Sequence, residues 1–251
     1  MVYRVVSGVV GTVVHAQRRT SGKAKGAVAA SERRIGLDAW GACPEGLWGF
    51  YGRYGKRALD LLVVVAMLAA LGPLMLGLAG LVALQGGRPF FAHRRIGQGG
   101  RPFDCYKIRS MVPDAEARLA AILATDAAAA AEWERGRKLR HDPRVTRFGQ
   151  FLRATSLDEL PQLWNVLRGE MSLVGPRPIT AGELSCYGAD GAAYLALRPG
   201  LTGPWQVEGR NDVTYAERVA LDADYAASVC LLGDLRILLM TAWAVIRATG
   251  R

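Results

Sequence analysis

The sequence predicts a mostly helical α+β fold: a re-entrant membrane helix-break-helix, followed by a domain with a small β-hairpin and amphipathic helices at the membrane interface. Residues 61–87 contain no charged side chain, which is typical of a membrane segment. Two short strand-like runs flank a glycine cluster at 97–100. Of the 251 residues, 51% are hydrophobic, which is enough to bury one good-sized core.

Three regions follow from this pattern. Residues 1–50 form a poorly determined N-terminal extension, 51–88 the re-entrant membrane hairpin, and 89–251 a cytosolic domain with membrane-interface helices. The apolar run at 5–14 in the extension is too short to span a bilayer.

The uncharged stretch could cross a membrane as one straight helix, because about 26 residues would measure about 39 Å against a hydrocarbon core of about 30 Å. Gly72-Pro73 near its middle favours a break instead, since the proline removes a backbone hydrogen bond. Basic residues flank both ends: Lys56 and Arg57 before it, and Arg88, Arg94 and Arg95 after it. The positive-inside rule then places both ends in the cytoplasm. We expect the re-entrant path and keep a spanning helix as the alternative.

Residues 89–111 have the pattern of a β-hairpin, with strands at 90–96 and 103–108. The glycine cluster between them is a turn and not a dinucleotide-binding loop, because no helix and no βαβ unit follows. Lys107 and Arg109 alternate along the second strand, so both are expected on one face, as a phosphate cradle or as a solvated basic edge. His93 is expected at the surface.

Helices are expected over much of the remaining chain. An alanine-rich helix is predicted over 112–139 and a short one over 148–153. Loop and a short strand are expected after residue 178, and then helices at 215–225 and 231–248. The last helix suits either the membrane interface or the core.

Two adjacent carboxylates, Asp158 and Glu159, stand at the start of a predicted helix. Pro161 is tolerated only in a first turn, so the helix must begin within a few residues of Asp158. Acidic groups are favourable at this end of a helix, where anions also bind. Ser156 and Glu159 also spell a Ser-x-x-Glu capping box, which would give the same residues a purely structural role.

Composition limits the partners. A net charge of +10 indicates a polyanionic partner, which can be nucleic acid, an anionic membrane face or a phosphorylated substrate. No zinc-finger, basic-zipper or RNA-recognition signature is present, so no nucleic-acid partner is expected. The four cysteines, Cys43, Cys105, Cys186 and Cys230, are far apart and predict reduced thiols.

Several segments together resemble the bacterial sugar transferases, the monotopic phosphoglycosyl transferases that load a sugar 1-phosphate onto a polyprenyl phosphate. The matching segments span the chain from about residue 55 to the C-terminus: 56–60, 106–111, 142–146, 156–162, 165–178, 198–203 and 209–211. The resemblance implies a re-entrant membrane segment and a catalytic domain at 89–251. Many relatives have Ser-Pro at the break, whereas this chain has Gly72-Pro73.

The resemblance also implies a reaction. Hexose 1-phosphate, from galactose or glucose, would pass from a UDP-sugar to undecaprenyl phosphate with release of UMP, as the first membrane step of exopolysaccharide or related glycan synthesis. Asp158 would be the nucleophile that forms an aspartyl-phosphosugar, and Glu159 would hold Mg²⁺. The implied location is the bacterial inner membrane, in contact with its lipids, with the catalytic domain facing the cytoplasm. The oligomeric state is open, a homodimer included.

Five basic residues are assigned to substrates. Arg177, between two prolines, is expected to bind the nucleotide phosphate or uracil. Lys107, Arg109 and Arg153 are candidates for the acceptor phosphate. Arg198 resembles a family arginine, with a simple surface position as the alternative. Two other functions stay open: a glycosyltransferase that releases UDP, and a non-enzymatic basic membrane-binding protein in which the carboxylates only cap a helix.

Overall fold

The computed structural model describes residues 49–136, 139, 141–208 and 214–247. Within these residues the helices are α1 (Lys56–Leu84), α2 (Ala115–Thr125), α3 (Ala127–Gly136), α4 (Arg147–Ala154), α5 (Gln162–Arg168), α6 (Ala181–Leu184), α7 (Gly191–Ala196), α8 (Pro204–Glu208), α9 (Tyr215–Ser228) and α10 (Leu231–Ile246). The strands are β1 (Phe90–Ile96), β2 (Pro102–Ile108), β3 (Ser172–Val174) and β4 (Gly200–Thr202). The extension predicted for 1–50, except its last two residues, and the Gly-Arg-Asn motif at 209–211 lie outside the described residues.

Helix α1 is the long apolar element of the chain. It follows a π-helical turn, Tyr51–Gly55, and continues through Pro73 as one helix, instead of separating into two at the Gly-Pro step. A proline removes one hydrogen bond but does not have to end a helix whose other bonds remain. In the described chain, Tyr51–Leu84 is the one helix long and apolar enough to cross a membrane, and only 11% of its most apolar window is buried by the protein.

The predicted hairpin is confirmed. Strands β1 and β2 pair antiparallel, and Phe91 is opposite Lys107. Gly99 and Gly100 form the turn with φ angles of 67° and 77°, a conformation that glycine adopts without steric cost. Strand β2 ends at Ile108, so Arg109 lies beyond it.

A second sheet brings together two distant motifs of the sequence. Strands β3 and β4 pair in parallel, with Ser172 opposite Gly200. A Cβ atom added at Gly200 would lie 2.2 Å from the backbone nitrogen of Gly175. Glycine is therefore needed at residue 200, because the two backbones approach too closely for any side chain.

Two further predictions of secondary structure were wrong, besides the break expected in α1. The single helix expected over 112–139 is divided into α2 and α3, because Asp126 has an extended backbone and its carboxylate accepts hydrogen bonds from the N–H groups of Ala128 and Ala129. The loop expected after residue 178 contains α6, a 3₁₀ turn Ser185–Asp190 and α7. Helix α6 begins with a Thr180–Glu183 capping box.

Helix α5 lies in the core, against the first half of α1. Val64 of α1, Leu163 and Val166 of α5, Leu173 of β3 and Ile237 of α10 belong to one buried cluster. A second cluster joins the later half of α1 to the hairpin and α4 through Leu78, Val82, Ile108 and Leu152. The two halves of α1 therefore pack on the same domain.

The last helix, α10, has a side chain buried in the core and also exposes large apolar side chains. Its Ile237 is fully buried, whereas Leu232, Leu239 and Trp243 are exposed. Asp234 at its start is 1% exposed and accepts hydrogen bonds from Lys56 Nζ at 2.6 Å, Tyr51 Oη at 2.6 Å and Tyr225 Oη at 2.7 Å. This network ties the start of α1 to α10.

Candidate active site

Asp158 and Glu159 lie in a tight turn directly before α5. They belong to a 3₁₀ turn, Leu157–Glu159, and the α-helix proper begins at Gln162 after Pro161. The capping box does not form: no side-chain hydrogen bond from Ser156 caps the turn, and Ser156 itself has a φ of 57°. The carboxylate of Glu159 instead accepts a hydrogen bond from Lys107 on β2. The turn thus presents its acidic groups to the hairpin.

The Lys107–Glu159 ion pair joins the hairpin to this turn. Lys107 Nζ lies 2.5 Å from Glu159 Oε1, and both side chains are about one-third exposed. Burial lowers the pKa of Lys107, but the charges of Glu159 and Asp158 raise it above its ordinary value. The lysine therefore remains a cation between two acidic groups.

Asp158 is the more buried of the two acids, with 7% exposure. Burial raises its pKa to about 6, an effect that Glu159 increases and that Lys107 and Arg153 oppose. At pH 7 this group is mainly a carboxylate that has lost much of its hydration. Such a group combines a negative charge with cationic neighbours, as a nucleophile that attacks an anionic phosphate must.

A cationic cleft adjoins the turn. Its lining includes His93, Arg95, Lys107, Glu159 and Arg177, and Trp205 forms another part of the wall. The Arg177 guanidinium lies over the Trp205 ring, 4.8 Å from its centroid. Arg95 Nη1 lies 3.3 Å from Glu183 Oε2. Because cations outnumber carboxylates here, the cleft suits a ligand with several negative charges.

Of the seven predicted site residues, Lys107, Glu159 and Arg177 line this cleft, and Asp158 is buried beside Lys107 and Glu159. Arg153 is exposed on α4, where its Nε donates to Ser110 Oγ at 2.8 Å. The other two lie elsewhere.

Arg109 and Arg198 are not brought to the cleft. Arg109 was expected on the same strand face as Lys107, but it follows the last residue of β2, Ile108, and does not line the cleft. A Cβ atom at Gly87, just after α1, would lie 2.5 Å from Arg109 Nη1, so this guanidinium is beside the end of the apolar helix. Arg198 Nε donates to the carbonyl of Gly169 at 2.9 Å and thus caps the C-terminal end of α5.

Comparison with known proteins decides the family. The family model described as bacterial sugar transferase matches residues 51–248, which include the hairpin, the turn before α5 and the cleft. The chain belongs to the bacterial sugar transferase family.

Three relatives show the closeness of the match. The undecaprenyl-phosphate galactose phosphotransferase of Salmonella typhimurium is 48% identical over 198 residues, 79% of this chain and 42% of that protein. The exopolysaccharide production protein ExoY of Sinorhizobium fredii is 48% identical over 200 residues, 79% of this chain and 88% of the relative. The UDP-glucose:undecaprenyl-phosphate glucose-1-phosphate transferase of Caulobacter vibrioides is 40% identical over 195 residues, 74% of this chain and 67% of the relative. This bacterial sugar transferase thus spans about two-fifths of the Salmonella protein and most of ExoY.

The structure of this bacterial sugar transferase adds residues that sequence reasoning missed. His93 was expected at the surface, yet it is half-buried in the cleft, where burial and the charge of Arg95 lower its pKa and keep it neutral near pH 7. The signal was present in the two-residue spacing of His93 and Arg95, which puts both on the strand face that carries Lys107 across the hairpin. Trp205, by contrast, reaches the cleft from α8, which is far from the hairpin in the sequence, and no local sequence pattern predicts this.

The donor set suits a magnesium ion that is shared with a substrate. Among the described residues, no group of three or more His, Cys, Asp or Glu side chains could hold a metal alone. Mg²⁺ needs only one or two carboxylates together with water and substrate phosphate oxygens. The adjacent carboxylates of Asp158 and Glu159 can supply that number, and Glu159 borders the cleft. These residues would therefore fit an ion only if a substrate phosphate supplied further ligands.

Proposed function

We propose that this protein transfers hexose 1-phosphate, from galactose or glucose, from a UDP-sugar to undecaprenyl phosphate and releases UMP. The product would begin exopolysaccharide or related glycan synthesis at the cytoplasmic face of the inner membrane. The observation that carries the proposal is the buried carboxylate of Asp158 beside a cleft lined by Arg95, Lys107 and Arg177. The names of the relatives supply the substrate classes: two name undecaprenyl phosphate, one of these with galactose and the other with UDP-glucose.

The cleft solves an electrostatic problem of this reaction. A UDP-sugar and a lipid phosphate are both anions, and each would repel a carboxylate nucleophile. Arg95, Lys107 and Arg177 can neutralise the donor diphosphate before Asp158 approaches phosphorus. Arg177, stacked on Trp205, presents a guanidinium fork that suits a phosphate or a base edge.

The first step is attack by an oxygen of Asp158 on the phosphorus that bears the sugar. The new O–P bond forms as the bond from that phosphorus to the bridging oxygen breaks, and the electron pair leaves with UMP. In the second step an oxygen of undecaprenyl phosphate attacks the same phosphorus. The Asp158–phosphorus bond then breaks, which restores the carboxylate and gives undecaprenyl diphosphosugar.

Glu159 would hold Mg²⁺ together with the phosphate oxygens of the donor. When bound, the ion supplies charge neutralisation to the diphosphate. Lys107, which donates to Glu159 Oε1, keeps this carboxylate in place and adds a positive charge at the same point.

The two arginines outside the cleft suit the acceptor. Arg153 interacts electrostatically with Asp158, and its Nε is hydrogen-bonded to Ser110, next to Arg109. The Arg109 guanidinium lies beside Gly87 at the end of the apolar helix. A lipid phosphate held by these two arginines would approach Asp158 from the side of α1, while the donor occupies the cleft.

A re-entrant path for α1 is part of the proposal. Its first half packs with α5 and α10, and its later half packs with β2 and α4 of the same domain. A helix that crossed the bilayer would carry one half away from the domain. Exposed apolar side chains on α1, such as Leu62 and Leu76, and on α10, such as Leu239 and Trp243, support contact with inner-membrane lipids.

The decisive test measures the released nucleotide. Detergent-purified protein is incubated with undecaprenyl phosphate, Mg²⁺ and either UDP-galactose or UDP-glucose. We expect UMP, and a mass increase of one hexose phosphate on Asp158 when the acceptor is omitted. Release of UDP would instead indicate an ordinary glycosyltransferase. No turnover, with lipid binding that survives Asp158→Asn, would indicate a non-enzymatic membrane-binding protein.

A further inference from the structure

Asn165 is a buried polar residue of α5 that the reaction described above does not use. Its side chain is 0% exposed. Its Oδ1 accepts a hydrogen bond from the backbone N–H of Tyr106 at 3.1 Å. Its Nδ2 donates to the backbone carbonyl of Asp104 at 2.7 Å and to Glu170 Oε2 at 2.7 Å. Both hydrogens of the amide group can thus be satisfied without water.

The two backbone partners lie on the edge of β2 that no strand of the described residues covers. Strand β2 pairs with β1 on its other edge, in a sheet of two strands. The carbonyl of Asp104 and the N–H of Tyr106 flank Cys105. In a sheet with a third, parallel strand, these two groups would form hydrogen bonds to one residue of that strand. The Asn165 amide supplies the missing acceptor and donor. It therefore attaches the hairpin to α5 by directed bonds.

This attachment joins the two elements that carry the ion pair of the site. Lys107 directly follows Tyr106 on β2, and Asp158 and Glu159 lie in the turn that leads into α5. Apolar contacts of β2 with α5 also exist, but such contacts are non-directional and tolerate small shifts. The hydrogen bonds of the Asn165 side chain set the position of β2 along α5, which apolar packing alone does not.

We infer that Asn165 is a positioning residue that holds Lys107 in register with Asp158 and Glu159, so that its loss slows sugar-phosphate transfer beyond its effect on stability. This inference rests on the proposed function. The residue touches no substrate in this role and acts through the hairpin.

The first test compares Asn165→Ala with Val166→Ala. Val166 is the next residue of α5, is also 0% exposed and has only apolar side-chain contacts to lose. Both variants should lower Tm. We expect kcat to fall about 10- to 100-fold in Asn165→Ala, as for a displacement of about 1 Å in a site, with little change in KM for the UDP-sugar. Val166→Ala should keep kcat near the wild-type value at a similar loss of Tm.

A paired substitution supplies a rescue. Asn165→Asp is nearly isosteric but places a carboxylate against Glu170 and the Asp104 carbonyl. In Asn165→Asp with Glu170→Gln, the glutamine can donate to the new carboxylate, so the donor and the acceptor are exchanged. We expect kcat to recover in part relative to Asn165→Asp alone. This pair also keeps the test valid if Asn165→Ala does not fold.

The outcomes separate the two proposals. If the wild-type protein releases UMP but kcat simply follows Tm across all these variants, the proposed function stands and the positioning role is overturned. Absence of UMP release from the wild-type protein would overturn the proposed function and the positioning role together. Faster amide hydrogen exchange at Tyr106 in Asn165→Ala than in Val166→Ala, together with the larger loss of kcat, would support the role, because only Asn165→Ala removes the acceptor of the Tyr106 N–H.

Discussion

Lys107 Nζ lies 2.5 Å from Glu159 Oε1, although the two residues are 52 positions apart in the chain. The contact places a cation from the hairpin against the turn that carries Asp158. It also answers the question left by the Ser-x-x-Glu pattern, because Glu159 pairs with Lys107 and the capping box is absent. The acidic pair is therefore part of a charged cleft and not a helix cap alone.

Asp158→Asn should abolish transfer while stabilising the fold near neutral pH. The pKa of Asp158 is raised to about 6, so the folded state holds this proton more tightly than the unfolded chain. The stability associated with the protonated group is present at low pH and is lost as the pH rises through about 6. Removing the charge should then recover stability on the order of 2 kcal/mol at pH 8, and almost none at pH 4. Thermal unfolding at both pH values measures this, and an equal Tm change at the two pH values would contradict it.

The pH dependence of donor turnover should show an acidic limb near the pKa of Asp158, which is about 6, because attack needs the carboxylate. Glu159 raises this pKa and Lys107 lowers it. In Lys107→Met, the acidic limb of the residual kcat/KM should therefore lie at a higher pH than in the wild type. In Glu159→Gln, the acidic limb of the residual kcat/KM should lie at a lower pH than in the wild type. Shifts in the same direction would show that another group controls the limb.

Arg177→Met should impair binding of the UDP-sugar, whereas Arg198→Met should lower thermal stability. Arg177 lines the cleft, so its loss should raise the KM for the UDP-sugar about tenfold or more, since a charge-assisted contact contributes about 1.5 to 3 kcal/mol. Arg198 caps α5 through Gly169, so its loss should lower Tm and leave donor KM near the wild-type value. Steady-state kinetics with thermal unfolding of both variants distinguishes the roles. A raised donor KM in Arg198→Met with normal Tm would restore its assignment to substrate binding.

Breaking the buried ion pair at the base of α1 should be costly. Lys56 and Asp234 are 2.6 Å apart, with side-chain exposures of 13% and 1%. Asp234→Ala leaves the lysine without its charge partner and should destabilise the protein by about 3 to 5 kcal/mol. Lys56→Met with Asp234→Leu should recover part of this loss, since neither member of this ion pair is then left without its partner. Unfolding in detergent with each variant measures the difference, and a double variant no better than Asp234→Ala would argue against the explanation.

Both ends of α1 should be on the cytoplasmic side of the membrane. Single cysteines at Arg53 and Arg88, in a background with Cys43 and Cys186 replaced by serine, would be labelled in intact cells and in inverted vesicles with a membrane-impermeant thiol reagent. We expect both positions to react only in the inverted vesicles. Labelling of one position in intact cells and of the other in inverted vesicles would show a spanning helix.

The sequence by itself determined the local elements and the acidic pair. The antiparallel hairpin, the helix at α4 and the apolar character of α1 follow from patterns within short windows, although the break expected at Gly72-Pro73 does not form. The motif around Asp158 and Glu159 likewise pointed to the family that the comparison shows. These features depend on neighbours in the chain.

Only the tertiary structure decided which cations meet the carboxylates. Lys107 reaches Glu159, while Arg109 turns to the end of α1 and Arg198 caps α5, although all three are basic residues in segments of the same family resemblance. Trp205 joins the cleft from a helix far along the chain. Periodicity assigns a residue to a face of its own strand or helix, but long-range packing determines which faces come together. That packing, and the Asn165 amide within it, lies beyond what a local pattern contains.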